Sequence, residues 1–485
     1  MSLFEIYQPN LGLLTDLYQL TMAHGYWKLD RHNETAVFNL FFRSNPFGSG
    51  YTISAGLANV IDFLNAFEVS ESDIAYLRTL TGNDGQPLFH SGFLDYLATI
   101  PFNLDVDAIP EGTIAFPHQP MLRFTGPIIL GQILETPLLN LMNFQTLIAT
   151  KSSRICRAAQ GDAVLEFGLR RSQGIDGGLS ASRAAFIGGC AATSNVLAGK
   201  LYDIPVKGTH AHSWVMSFES ELEAFDAYAQ AMPNNCVFLV DTYDTIEGIQ
   251  HAIQVSRSLR DRGHEPVAIR LDSGDLCQLS IDARRMLDEA GFPNVGIVAS
   301  NDLDEHLIQT LKSQGAAISV WGVGTRLATA YDQPALGGVY KLAAIRDGDQ
   351  PWRYPVKLSE SAIKSSTPGV LQVRRFRQDG RFVGDMTIDQ GLSPSSDLIV
   401  RDPIDGSAMT TIPSNATGDD LLVPVMRGGE CVYESPALPQ IRQHALDQVA
   451  SLDDRYTSFV DPARYPAGLE SNLHDRKIRL VEARR

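Results

Sequence analysis

Cysteine is scarce in this chain of 485 residues. Its 5 cysteines, Cys156, Cys190, Cys236, Cys277 and Cys431, are scattered, odd in number and free of CxxC or CxxxxH spacing. This argues against both a disulfide framework and a zinc site, and buried reduced thiols are the expectation. Positive charge is also in deficit: 40 Lys and Arg stand against 56 Asp and Glu, a formal net charge of −16. A nucleic-acid or anionic-membrane partner would need a basic surface, so neither is expected. No run approaches the roughly 20 apolar residues of a spanning helix, and the N-terminus lacks a basic stretch followed by an apolar core and a cleavage site. A soluble, unexported, cytoplasmic protein is the expectation. Internal repeats and low-complexity tracts are missing as well.

What is present is a globular composition, 44% hydrophobic and 20% charged, on a chain longer than one ordinary core, so two domains are expected. The middle of the chain repeats one pattern of strand, polar loop and helix. Short β-branched runs at Cys236 to Val240 and Pro266 to Leu271 alternate with helical periodicity over Thr245 to Arg262, Leu276 to Ala290 and Asp304 to Gln314. Gly291 and Gly315 stand where left-handed caps would end two of these helices. Parallel strands joined by helices build an open doubly wound sheet or a closed barrel, and both place binding groups at the carboxyl ends of the strands. The flanks differ. Prolines break short apolar segments from Asp105 to Glu135, strand-like runs recur from Val339 to Phe376, and Ser393 to Gly429 is rich in turn formers and reads as turns and exposed loops.

The polar strings at strand ends carry the chemistry. AIRLDSGD offers the guanidinium of Arg270, the carboxylate of Asp272 and a Ser273-Gly274 turn, a set suited to anions or equally to a plain ion pair on a barrel rim. In VWGVGT, Gly322 and Gly324 let the backbone approach a ligand and Thr325 can donate to a phosphate, although such a string is as often a tight turn. GTHAHSW places His210 and His212 two apart, where they share a face on a strand, as metal ligands, as a nucleophile or as buried structural histidines. FLVDTYDT sets Asp241 and Asp244 at a strand end, fit to hold Mg²⁺ through water, to fix an arginine or simply to cap a loop.

Taken in order, the motifs resemble the nicotinate phosphoribosyltransferase family. The likeness begins at LLTDLYQLTMAHGYW and runs through EGTIAFPHQPMLRFTGP, ILETPLLNLMNFQTLIATKSSRI, EFGLRRSQGIDGG, SNVLAGKLYDIPVKGTHAHSW, LVDTYDT, RLDSGD, ASND, GVGT, GGVYKLAAI and VKLSESAIKSSTPG, covering roughly three quarters of the chain. The resemblance implies the fold of type II phosphoribosyltransferases, an irregular α/β barrel with a flanking α+β domain formed from both ends of the chain. The implied division is a flanking domain from residues 1–135 and 339–485, a barrel over 136–338, and a loop-rich stretch at 393–429. It further implies a homodimer with shared active sites, and a reaction joining nicotinate to 5-phosphoribosyl 1-diphosphate (PRPP) in NAD salvage, coupled to ATP hydrolysis, with Mg²⁺ accompanying the phosphorylated substrates.

Residue by residue, the resemblance implies a pyridine ring held between Phe167 and the partner's Tyr18, its carboxylate met by Arg270 with Thr209 as a neutral donor, and Arg170 near ring and phosphates. Asp272 would orient Arg270 or the ribose hydroxyls, and Ser273, Gly274, Gly322, Gly324 and Thr325 would cradle the ribose phosphate. His212 corresponds to the histidine that accepts a phosphoryl group from ATP, and His210 ranks below it. Asp241 is the candidate for the metal. A nicotinamide-specific relative would place an acid before a V-A-G turn. Here SNVLAG has Ser194 and Asn195, which favours nicotinate. An unrelated phosphate-binding barrel lyase or isomerase would share GVGT without needing the Tyr18 segment.

Overall fold

The computed structural model describes residues 11–357, 366–393 and 395–484; most of the VKLSESAIKSSTPG string therefore lies outside the described residues. The chain divides into two compact units, Met1–Leu147 with Ala335–Arg485, and Ile148–Pro334. The first cut falls inside the helix Glu135–Ala158.

The unit Ile148–Pro334 is built on a six-stranded sheet. Its spatial order is Ala192–Thr193, Ala163–Glu166, Val320–Val323, Gly296–Ala299, Ala268–Leu271, Val237–Leu239, and every ladder is parallel. Apolar runs rather than alternation mark these strands because both faces are covered, and Phe238, Ile269, Ile297 and Trp321 are all buried. The connecting helices stop and start as their polar residues dictate. Asp244, Asp275 and Asp304 accept backbone N–H bonds at the starts of Thr245–Asp261, Leu276–Glu289 and Glu305–Ser313, while Gly291 and Gly315 end the last two at φ 84° and 81°.

Among the described residues no backbone ladder joins the two end strands of this sheet. The segment after the helix Val196–Tyr202 spans the gap instead. Thr193 N–H donates to Pro205 C=O and Lys207 N–H to Thr193 C=O, each at 3.0 Å, and farther along the His210 ring accepts from Leu239 N–H at 3.3 Å. The irregularity of the barrel lies here: a side chain does what a backbone ladder does elsewhere. Burial holds the His210 pKa down to about 4, which keeps the ring neutral and able to accept.

The other unit interleaves the two ends of the chain. One sheet runs Gly338–Arg346, Thr35–Phe42, Leu122–Pro127, Asp105–Ala108, Val423–Arg427, Glu430–Cys431, all antiparallel. Phe38 stacks on Tyr340 across the first ladder with centroids 4.8 Å apart. Elsewhere in this unit, buried Asp385 binds Arg375 and accepts from Gln119 Nε2 at 2.9 Å and Tyr465 Oη at 3.0 Å, so side chains from both ends meet on one carboxylate.

Two expectations change. The stretch 393–429 is not simply loops: it contributes the short strands Ile399–Arg401, Met409–Thr411, Thr417–Asp420 and Val423–Arg427. Ladder bonds and an Arg374–Asp420 ion pair of 2.7 Å hold exposed polar residues there in extended form. Of the thiols only Cys190 and Cys236 are buried; Cys156 and Cys277 are partly so, and Cys431 is exposed on the edge of its sheet.

Candidate active site

A cavity of about 360 Å³ opens at the carboxyl ends of the parallel strands, lined in part by Phe167, Arg170, Ser194, Thr209, His212, Arg270 and Asp272. Residues up to 105 apart in sequence thus converge: Phe167, Ser194 and Asp272 directly follow strands of one sheet and Arg270 lies near the end of the last of these, while Thr209 and His212 come from the segment that spans the gap between its two end strands.

Arg270, at the third position of its strand, is held on three sides. Its Nε donates to Ser300 Oγ at 2.7 Å, one terminal nitrogen to Thr209 Oγ1 at 3.0 Å and the other to Asp272 Oδ1 at 2.8 Å. Each terminal nitrogen keeps a second N–H for a ligand. The guanidinium carbon stands 5.9 Å from the centroid of the Phe167 ring. Burial alone would raise the Asp272 carboxyl, but hydrogen bonding from Ser300 and the charge of Arg270 outweigh it and hold the group below its ordinary value. A charged, oriented pair beside a flat apolar ring suits an aromatic carboxylate.

Thr209 donates its own hydrogen to His210 C=O at 2.9 Å, so as it stands it orients the arginine; serving a ligand as donor would require giving that bond up. His212 begins the short helix His212–Val215. Its Nδ1 meets Thr242 Oγ1 at 3.1 Å, and its Nε2 lies 3.8 Å from Asp272 Oδ2. One ring nitrogen is anchored by Thr242 and the residue lines the cavity, an arrangement compatible with a nucleophilic histidine. His210, by contrast, is 7% exposed and turned into the barrel wall.

The expected phosphate cradle divides. Gly274 sits at φ 77°, a conformation glycine adopts without strain, and Ser273 Oγ donates to Asp241 Oδ2 at 2.7 Å, as does Asp272 N–H. Gly322 and Gly324 make room for the ring platform: a β-carbon on Gly322 would lie 2.8 Å from Phe167 Cδ2, and one on Gly324 3.2 Å from Phe167 C=O. Thr325 opens the short helix Thr325–Ala328. None of these five lines the cavity described above. Tyr18 lies on the helix Leu17–Lys28 of the other unit, 51% exposed.

Among the described residues, no three His, Cys, Asp or Glu side chains gather as a metal site. Asp241, the candidate for the metal, keeps a buried Oδ1 with no hydrogen-bond partner, one oxygen that could serve a hard cation held mainly by other ligands. The neighbouring Asp244 is a helix cap.

Three residues carry the geometry although the sequence gives them no distinct signal. Ser300 stands in the ASND string and Thr242 in LVDTYDT, each one residue from a more conspicuous group. Glu166 precedes Phe167 and is buried.

This architecture is shared with solved structures. The crystal structure of human nicotinic acid phosphoribosyltransferase superposes with a TM-score of 0.83 at 31% identity, covering 96% of this chain and 99% of that one. The nicotinate-nucleotide pyrophosphorylase from Pyrococcus furiosus, at 22% identity and a TM-score of 0.70 over 93% of this chain and 99% of its own, shares the fold. The fold is therefore that of the type II phosphoribosyltransferases. Family models describing the nicotinate phosphoribosyltransferase (NAPRTase) N-terminal domain, family and C-terminal domain match residues 13–143, 163–348 and 372–477. The nicotinate phosphoribosyltransferase of Bacillus subtilis (strain 168) is 41% identical over 479 residues, 97% of this chain and 95% of that protein. The chain belongs to the nicotinate phosphoribosyltransferase family.

Proposed function

We propose that this chain joins nicotinate to PRPP, yielding nicotinate mononucleotide and pyrophosphate in NAD biosynthesis by salvage, with ATP hydrolysis coupled through a phosphohistidine at His212. The observation that carries the reading is Arg270, oriented by Ser300, Thr209 and Asp272 with N–H groups to spare beside the Phe167 ring. The names of the relatives agree with it. Ser194 in the cavity wall, where an acid would favour an amide, supports the carboxylate form of the ring.

Departure of pyrophosphate leaves positive, oxocarbenium-like charge on the ribose and negative charge on the leaving group, so the site needs a held nucleophile on one face and cations on the other. The nicotinate ring nitrogen is already unprotonated at neutral pH and requires no base. Phe167 fixes the plane of the ring, Arg270 its carboxylate end, and Arg170 supplies positive charge on an exposed turn of the cavity wall. Mg²⁺, held through Asp241 and the phosphates of the substrate, would offset charge on the departing pyrophosphate. A phosphoryl group on His212 Nε2 would add negative charge and acceptor oxygens next to Asp272, shifting the balance of charge in the site until it is hydrolysed.

Arg270→Ala tests the assignment. Loss of a charge-assisted contact to a desolvated carboxylate costs about 3 kcal/mol, roughly a hundredfold in kcat/KM for nicotinate. A folded variant with the wild-type KM for nicotinate would remove Arg270 from the carboxylate site.

A further inference from the structure

Glu166 ends the strand Ala163–Glu166 immediately before Phe167 and is 1% exposed. Its hydrogen-bond partners are all neutral. One carboxylate oxygen takes Gly168 N–H, and the other takes the hydroxyls of Ser182 at 2.9 Å and Thr193 at 2.6 Å. Those hydroxyls in turn accept from Asn195, whose Nδ2 donates to Ser182 Oγ at 3.2 Å and whose backbone N–H donates to Thr193 Oγ1 at 3.0 Å. A buried carboxyl group must have its hydrogen bonds met, and these partners tie Glu166 to the peptide after Phe167 and to the side chains of Ser182 and Thr193.

What it holds is one wall of the cavity. Phe167 N–H donates to Val323 C=O at 2.8 Å, and the next N–H, of Gly168, goes to the Glu166 side chain. The residue carrying the ring platform is thus pinned through the peptide groups on both sides. Gly168 has no slack, since a β-carbon there would lie 2.3 Å from that of Ala328. Leu169 and Arg170 follow directly, and Ser194, whose N–H donates to Glu166 C=O at 2.9 Å, comes next to Thr193. Phe167, Leu169, Arg170 and Ser194 all line the cavity; Phe167, Leu169 and Ser194 are adjacent in the chain to a member of this network, and Arg170 follows Leu169.

We propose that Glu166 is a positioning residue for the pyridine ring, setting the affinity for nicotinate through the Gly168 peptide and not through its charge. The inference rests on the reading of the cavity as the nicotinate site. An amide side chain can do the same work: its oxygen can accept from Gly168 N–H, while its NH₂ faces hydroxyls free to rotate and accept. A shorter carboxylate cannot reach both the peptide and the hydroxyls.

The test is steady-state kinetics on Glu166→Gln and Glu166→Asp, with nicotinate and PRPP varied separately and thermal melting recorded. Glu166→Gln is expected to keep the nicotinate KM within about threefold of wild type, whereas Glu166→Asp raises it roughly tenfold and leaves the PRPP KM nearly unchanged, because misplacement of a positioned group is felt by the ligand it orients. If Glu166→Asp does not fold, Thr193→Val, which frees the same carboxylate from one partner, should raise the nicotinate KM severalfold with the PRPP KM unchanged. Equal damage from Glu166→Gln and Glu166→Asp, a parallel rise in both KM values, or an unchanged nicotinate KM in Glu166→Asp or, failing its folding, in Thr193→Val would overturn the proposal. A wild-type protein that does not use nicotinate at all would instead sink the underlying reading of the cavity.

Discussion

Arg270 takes its orientation from residues 30, 61 and 2 positions away in the chain, Ser300, Thr209 and Asp272. The arginine and aspartate of RLDSGD were legible because a fixed cation and a carboxylate at a strand end are conspicuous. Ser300 was not, since a serine after a strand is ordinary and only the register of neighbouring strands brings its hydroxyl to the guanidinium. The same holds for the glycines of GVGT, whose lack of side chains was legible but whose neighbour, Phe167, was not. For His212, the anchored Nδ1 and the place in the cavity wall make a definite expectation. Incubation with ATP and Mg²⁺ should leave an acid-labile, base-stable phosphate on His212, and His212→Ala should lose ATP hydrolysis while retaining basal phosphoribosyl transfer. Peptide mapping under alkaline conditions decides the matter; phosphate on another residue, or ATP coupling that survives in His212→Ala, contradicts the role.

At the level of elements, periodicity located the middle helices to within a residue or so of Thr245–Asp261, Leu276–Glu289 and Glu305–Ser313. Their amphipathic faces and caps are local properties. The two-residue strand Ala192–Thr193 and the strands within 393–429 were hidden because tertiary ladders define them, not their own composition. His210 belongs at this scale, as the link between the end strands. Its pKa is depressed by burial to about 4, so its share of stability is fully present above its ordinary value and is lost as pH falls toward 4, amounting to at most about 3 kcal/mol. Denaturant unfolding between pH 7 and pH 4 should therefore be less pH-dependent in His210→Gln, whose amide oxygen can still accept from Leu239 without titrating. An identical pH slope in wild type and variant would show that His210 is not held neutral in the wall.

For the whole molecule, the family resemblance implied a flanking domain drawn from both ends of the chain, and the shared antiparallel sheet and the contacts of Asp385 show why neither end makes that unit by itself. Tyr18 lies outside the barrel unit and is half exposed, which suits a ring supplied to a second copy. If sites are shared in a homodimer, mixing inactive Tyr18→Ala and inactive Phe167→Ala chains should recover part of the activity, through the one site in each heterodimer that keeps both rings. Heterodimers that form and stay inactive would mean that each site is built from one chain. The most direct measurement of the central claim is product formation by the wild-type protein with PRPP, Mg²⁺ and ATP, offered nicotinate or nicotinamide in parallel. Nicotinate mononucleotide and pyrophosphate in equal amounts, with little or no nicotinamide mononucleotide, is the expected result; preferential use of nicotinamide, or no mononucleotide from either ring, would contradict it.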